Sequence, residues 1–421
     1  MATIVNIPDD AIIEILLRLP VKSLIRFKSV SKFWFSLLIS PQFIDMHLKF
    51  SLARDDELVL IKRFLQEESK NVLSLHSNNE SLKILVPNYL DLQDLNIDND
   101  SLEIKAPNEP WSQLVGGCNG IVCFFHHYNF ILLNPATREM RILPPLPSLL
   151  FKDFHMEGLG FGFDTITNDY KVVIILRLPY DNVYTPKSYS SDSGEDEVYE
   201  GGLCSPSPPF PNISFDFSNW PCKLEIYSLC SNTWKELDVQ LPITREFPYN
   251  CFDLFFNGRM HWKALEGCIL SLDINTEAFH KFGLPKADKT SIFENLINRE
   301  ILVVIHDALA LLLYTHRYPT PHPYEQFIDV WIMKEYGNEE SWSKQYSIGP
   351  LSRIQRPISI WKNNRILLEK VVPEYNLVDD NVVQLVACDL FNCEKLLKYN
   401  IIGLAYTLEV LFYKESLVSI A

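Results

Sequence analysis

Between Asp9 and Leu48 the apolar residues recur at helical spacing, and they cover too much of each helix. Read at about 100° per residue, Ile12, Ile13, Ile15, Leu16, Leu17 and Leu19 sweep roughly 200°, where a helix lying on one core needs about 100°. Leu24, Ile25, Phe27 and Val30 continue the excess, as do Phe33, Trp34, Phe35, Leu37, Leu38 and Ile39. Asp9 can cap the first helix and Leu19-Pro20 stops it, while Ser31 and Ser40-Pro41 are start signals for a third and a fourth. A small helical module over residues 1–50 follows, with more apolar surface than its own core can cover.

After about residue 55 the period shortens. Runs such as "ELVLIKRF", "GIVCFF", "FILLN", "YKVVIIL", "KLEIYSL" and "LLLYTH" are separated by Gly, Asn, Asp or Pro turns, the pattern of many short strands. Five stretches, 132–147, 225–242, 270–285, 330–348 and 386–401, share one plan: an apolar strand, a polar turn, then a second strand entered by a bulky residue and closed by Leu, Ile or Pro. Aligning Tyr227 with Asp273 spaces two copies 46 residues apart, and Asn134 to Tyr227 is 93, about twice that. Paired strands at a period of 40 to 50 residues predict propeller blades, stacked radially because each is too thin to stand alone. The expected architecture is a small all-α module followed by an all-β propeller-like domain of six to eight blades over 51–421. Its most irregular part, 179–221, is rich in Ser, Pro, Gly and acid and is expected to be a mobile loop.

Composition changes the picture in two places. The chain has 421 residues, 47% hydrophobic, with a net charge of −15. Residues 1–50 hold six Lys or Arg against four acids, so the remainder carries −17. That acidity disfavours a nucleic-acid ligand and favours a basic protein partner. Nine scattered cysteines, without the dense spacing of a secreted disulfide scaffold, point to a reduced compartment. Asp9, Asp10 and Glu14 interrupt the early apolar run and argue against a signal peptide, and the later run from Ile301 is broken by His306 and Asp307, so no membrane span is expected.

Candidate chemistry is thin. "GLGFGFD" (158–164) has the glycines of a nucleotide loop, but Phe161, Phe163 and Tyr170 continue a strand pattern in place of the required helix. Cys118 with Cys123, and Cys388 with Cys393, sit five apart, which in a strand puts each pair on opposite faces and offers no zinc half-site. No G-x-S-x-G elbow and no H-E-x-x-H string occurs. The expectation is a non-catalytic protein without cofactor or metal.

The opening stretch "IPDDAIIEILLRLPVKSLIRFKSVSKFW" resembles an F-box, with Ile7 in place of the usual leading leucine and Ser31 where a cysteine is frequent. The resemblance implies that Ile7, Pro8, Ile15, Leu16, Leu19, Pro20, Leu24, Phe27, Val30 and Trp34 form a three-helix core and its contact with the Skp adaptor of an SCF-type ubiquitin ligase. Surplus apolar surface would then be an interface.

The strings "GGCNGIVCF" (116–124), "LLNPATREMRILP" (132–144), "GFGFDTITNDYKVV" (160–173), "EIYSLCSNTWKELD" (225–238), "FFNGRMHWKA" (255–264), "ILSLDINTEAFHKF" (269–282) and "YKESLVSI" (413–420) resemble the plant F-box-associated domain, most closely that of the S-locus F-box group. The resemblance implies a substrate receptor that holds adaptor and cullin through its N-terminal module and a target protein through its β domain, in the cytoplasm or also the nucleus. Within the S-locus group the implied targets are non-self S-RNases in pollen, as part of self-incompatibility. Those ribonucleases are generally basic, and Asp192, Glu195, Asp196, Glu197 and Glu200 are the acids expected to help attract them. Two alternatives stand beside this: a general plant F-box receptor for another regulatory protein, and a carbohydrate-binding propeller with an accessory F-box.

Overall fold

The computed structural model describes residues 8–54, 56–91, 112–126, 129–147, 155–177, 222–242, 254–264, 267–286, 296–317, 326–362, 364–372, 382–393 and 395–420. Four helices come first: α1 (Asp9–Leu17), α2 (Val21–Phe27), α3 (Lys32–Leu38) and α4 (Pro41–Ala53). Ser31 and Ser40 cap α3 and α4 as expected, accepting from the N–H of Trp34 at 3.2 Å and of Phe43 at 3.3 Å. Asp9 does not cap α1. Pro8 holds the N-cap position and Asp9 and Asp10 lie in the first turn, where their charge still favours the exposed N–H groups.

Most of the remaining described residues form six four-stranded antiparallel sheets. Strands β1 (Leu58–Leu65), β2 (Lys70–Ser77) and β3 (Ile84–Asp91) belong to the first blade, and β4 (Ser112–Cys118), β5 (Ile121–His126), β6 (Asn129–Asn134) and β7 (Glu139–Ile142) form the second. The third is β8 (His155–Asp164), β9 (Asp169–Arg177), β10 (Cys222–Ser228) and β11 (Thr233–Val239), and the fourth β12 (Leu254–Phe256), β13 (Arg259–Ala264), β14 (Cys268–Asp273) and β15 (Ala278–Gly283). The fifth contains β16 (Leu296–Ile305), β17 (Ala308–Arg317), β18 (Gln326–Met333) and β19 (Trp342–Leu351). The sixth contains β20 (Ile354–Trp361), β21 (Arg365–Val371), β22 (Val382–Asp389) and β23 (Leu397–Leu404). The last strand, β24 (Glu409–Tyr413), returns to pair with β1 and completes the first blade. The first strands of successive blades stand side by side, β24, β4, β8, β12, β16, β20 and back to β24, so the ring is closed and the blade number is six.

Why the strands read as continuous apolar runs is now plain. Each blade is buried on both faces between its neighbours: Val172 and Ile174 of β9 enter the core shared with the second blade, while Val173 and Ile175 enter the core shared with the fourth. The three glycines of "GLGFGFD" lie in β8 and serve this packing, since a side chain on Gly158, Gly160 or Gly162 would collide with Trp262, Met260 or Phe255 of the fourth blade. Trp262 donates its indole N–H to the Leu159 carbonyl at 2.7 Å across the same seam.

The five repeats are the third and fourth strands of blades two to six, and in blades two and four they are joined by a turn of the same chemistry. The carboxamide or carboxylate oxygen of Asn134, and of Asp273, accepts the N–H groups two and three residues on, and Arg138 and Glu277 then take positive φ. In the third blade the equivalent position is Ser228, whose hydroxyl accepts from Ser231 before Asn232 at positive φ. The alignment on Tyr227 is therefore one residue early.

One cysteine expectation is overturned. β22 ends at Asp389, whose carboxylate accepts from Phe391 and Asn392, and the resulting turn brings Cys388 and Cys393 to a Cα separation of 5.2 Å as a disulfide. The opposite-faces argument assumed one unbroken strand. Cys118 and Cys123 are not joined by a disulfide, and burial pushes the Cys118 thiol up to about 12.

Buried charge closes the ring. Lys62 of β1 pairs with Glu409 of β24 at 3.3 Å and also donates to the Ser112 carbonyl of β4; Glu409 accepts the Leu114 N–H at 2.7 Å. Arg356 of β20 pairs with Glu369 of β21 at 3.1 Å and donates to the Leu408 carbonyl at 2.9 Å. The carboxylate of Glu369 accepts from Tyr406 and Leu408, the residues leading into β24. The last strand is thus bonded to blades one, two and six.

Candidate interaction surfaces

The helical module has an inside and an outside. Leu16, Val21, Leu24, Leu38 and Phe43 form its core. Leu16 and Leu24, at 1% and 0% exposure, are supports within the module and belong to the core part of the expected core-and-contact set. α4 contributes Phe43 to this core, which is built from four helices and not three. Ile15, Phe27 and Val30 point out, exposed at 55%, 37% and 65%, and Phe33, Phe35 and Ile39 extend the apolar surface on and just after α3. Trp34 is half-buried, tilted against Phe27 with ring centroids 5.8 Å apart, and Leu19 is half-buried too. Pro8 and Pro20 are exposed at the starts of α1 and α2, and Ile7 lies outside the described residues. Exposed Lys22, Arg26 and Lys32 surround this face with positive charge.

The module sits against one end of the blades. Ser416 lies over the Asn119-Gly120 turn, Asn134 donates to the carbonyls of Ser416 and Val418, and Ala136 reaches the module core. That end carries the short turns joining first to second and third to fourth strands, such as Asn119-Gly120, Asn257-Gly258 and His306-Asp307. At the opposite end described strands stop and resume, as β9 does at Arg177 and β10 at Cys222, on either side of the sequence stretches 92–111, 178–221, 243–253, 318–325 and 373–381. These stretches, with Asp192, Glu195, Asp196, Glu197 and Glu200, lie outside the described residues. Where 178–221 attaches is described: Arg177 ends β9, Cys222 starts β10, and Arg177 pairs with Glu157 at 2.7 Å in full burial.

Elsewhere the polar interior is structural. His261 is held between the Leu254 carbonyl at 3.0 Å and the Tyr336 hydroxyl at 2.7 Å, and burial lowers its pKa to about 4. Among the described residues no three His, Cys, Asp or Glu side chains are grouped to hold a metal ion, and no helix is long and apolar enough to cross a membrane.

A compact helical module with an open apolar face, mounted on a six-bladed propeller, is the architecture of an F-box receptor. An F-box domain profile matches residues 4–45, and a profile described as F-box associated beta propeller domain matches 210–420. The chain belongs to the F-box proteins that carry an F-box-associated β-propeller domain. It is 24% identical to the F-box protein CPR1 of Arabidopsis thaliana over 84% of this chain and 74% of that one. It is 27% identical to the F-box protein At3g07870 of the same plant, over 94% and 83%. An oligogalacturonate lyase in complex with manganese is similar only loosely, at TM-score 0.38 and 11% identity over 81% of this chain and 78% of that one.

Proposed function

We propose that the chain is the substrate receptor of an SCF-type ubiquitin ligase, acting in the cytoplasm or nucleus and doing no chemistry of its own. The observation that carries this reading is the outward apolar face of Ile15, Phe27 and Val30 on a module whose opposite side is filled. A Skp-type adaptor covers that face and connects it to a cullin. The propeller holds a target protein near the ligase-bound ubiquitin conjugate, so the transfer gains from high local concentration. Ile15→Asp with Val30→Asp, both at exposed positions, tests it: co-purification with a plant Skp-type adaptor is lost while the propeller stays folded, and persistent binding refutes the assignment of the face.

For the target, the propeller end remote from the helices is the favoured surface, because the longest joins attach there and the adaptor cannot cover it. The −17 balance of residues 51–421 suits a basic protein. A basic S-RNase in pollen is such a target, with Asp192, Glu195, Asp196, Glu197 and Glu200 adding to the attracting charge. Neutralising these five acids then slows association at low salt, an effect that vanishes at high salt. An unchanged association rate removes them from the site. The two Arabidopsis relatives favour a second reading of the target, some other regulatory protein, and expression outside pollen decides for it.

A further inference from the structure

The C-terminal residues Lys414–Ile420 are shared between the two parts of the molecule. From Glu415 onward the side chains divide between them: Glu415 and Leu417 go to the helices, Ser416, Val418 and Ile420 to the propeller. Leu417 is 2% exposed and completes the core made by Leu16, Val21, Leu24, Leu38 and Phe43. Pro20, the N-cap of α2, has no side-chain acceptor, and burial pushes the nearby Glu415 carboxyl up. At the end of α4 the Lys414 ammonium donates to the carbonyls of Leu52 at 2.7 Å and Arg54 at 2.8 Å. Ser51 donates its hydroxyl to the Glu415 carbonyl at 2.9 Å.

The other edge of the segment is bound to the second blade. Asn134 donates to the carbonyls of Ser416 at 3.1 Å and Val418 at 2.7 Å, Arg141 donates to that of Ile420 at 3.0 Å, and the Ile420 N–H reaches Glu139 at 3.1 Å. Immediately before it, β24 closes the ring.

We infer that Lys414 and Leu417 are positioning residues for the adaptor-binding helices, so that the docking face is set only once the last strand has closed the propeller. The inference rests on the receptor reading above. α1 to α4 are made well before part of their core, Leu417, and a helix-end partner, Lys414, which lies 362 residues downstream of its acceptor Leu52. Ile15 and Phe27 stand on the outer sides of the helices whose inner sides touch Leu417. When the clasp is absent a smaller fraction of molecules presents that face, and the apparent adaptor affinity falls by the same fraction. A truncated or unclosed receptor, unable to hold a target, is thereby kept from occupying the ligase.

The test measures adaptor affinity of full-length chains by calorimetry, beside hydrogen exchange in peptides from 9–53 and from 259–273. Leu417→Ser weakens binding by about tenfold or more, Lys414→Ala weakens it less, and Leu417→Met, which keeps an apolar side chain in the core, binds nearly as the parent. Exchange rises in 9–53 and is unchanged in 259–273. Parent-like affinity in both Leu417→Ser and Lys414→Ala overturns the inference. A loss of binding accompanied by faster exchange in 259–273 also overturns it, because the propeller itself is then giving way. If the unaltered chain binds no adaptor, the receptor reading fails and takes this inference with it.

Discussion

Ser416 occupies the space that a side chain on Gly120 would need: a Cβ placed there stands 2.6 Å from Ser416 Cβ and 2.8 Å from the Lys414 carbonyl. Gly258, in the matching turn of the fourth blade, has the same left-handed backbone and nothing within 4 Å. The two glycines separate conformational strain from crowding. Gly258→Ala should cost about 1–2 kcal/mol from φ alone, and Gly120→Ala about 1–3 kcal/mol more, since the C-terminal segment must move. Urea unfolding gives the difference. Carboxypeptidase should release the C-terminus faster in the Gly120 variant only.

The buried pair Lys62–Glu409 is expected to matter more when broken than when replaced. Burial pushes the Lys62 ammonium down and the Glu409 carboxyl up, so each charge depends on the other to stay ionised. Glu409→Leu alone should cost about 3–5 kcal/mol, and the double variant Lys62→Met, Glu409→Leu less than either single change. A denaturant double-mutant cycle measures the coupling.

Acid should weaken the fold well above the carboxylate range. His261 has a folded pKa of about 4, and burial also lowers His47 and His76, so all three are favoured neutral in the folded chain. The unfolded chain binds protons near pH 6.5, and stability that is complete above that value falls as the pH drops toward the folded pKa. For His261 the loss reaches about 3 kcal/mol by pH 4. Urea midpoints taken between pH 7.5 and 4.5 should decline, and His261→Gln should flatten the slope.

Within the helical module, depth separates support from contact. Leu24→Ala should lower stability by about 2–5 kcal/mol. Val30→Ser should change it by no more than about 0.5 kcal/mol and still weaken adaptor binding. Thermal unfolding beside a pull-down with the adaptor distinguishes the two, and equal loss of stability in both would mean that Val30 is not outside.

Much of the fold was legible because propeller blades repeat their local chemistry. The Asn134 and Asp273 turns announce themselves by an oxygen-bearing residue followed by a polar turn, and the alternation of β9 announces a strand buried on both faces. Tyr227 misled by one position because a serine hydroxyl can replace the carboxylate in that turn. The cysteine pair misled because a strand was assumed to continue past Asp389.

The sequence by itself determined four helices, their serine caps, the strand pairs and an excess of apolar surface near the N-terminus. These follow from periodicity and short-range hydrogen bonding, which neighbouring residues dictate. The tertiary structure decided that the ring has six blades, that Leu16 and Leu24 face inward while Ile15 and Val30 face out, and that Lys414 and Leu417 finish the first module from a segment distant in sequence. Closure and sidedness depend on contacts between residues hundreds of positions apart, and no local pattern encodes which distant segment will fill a given face.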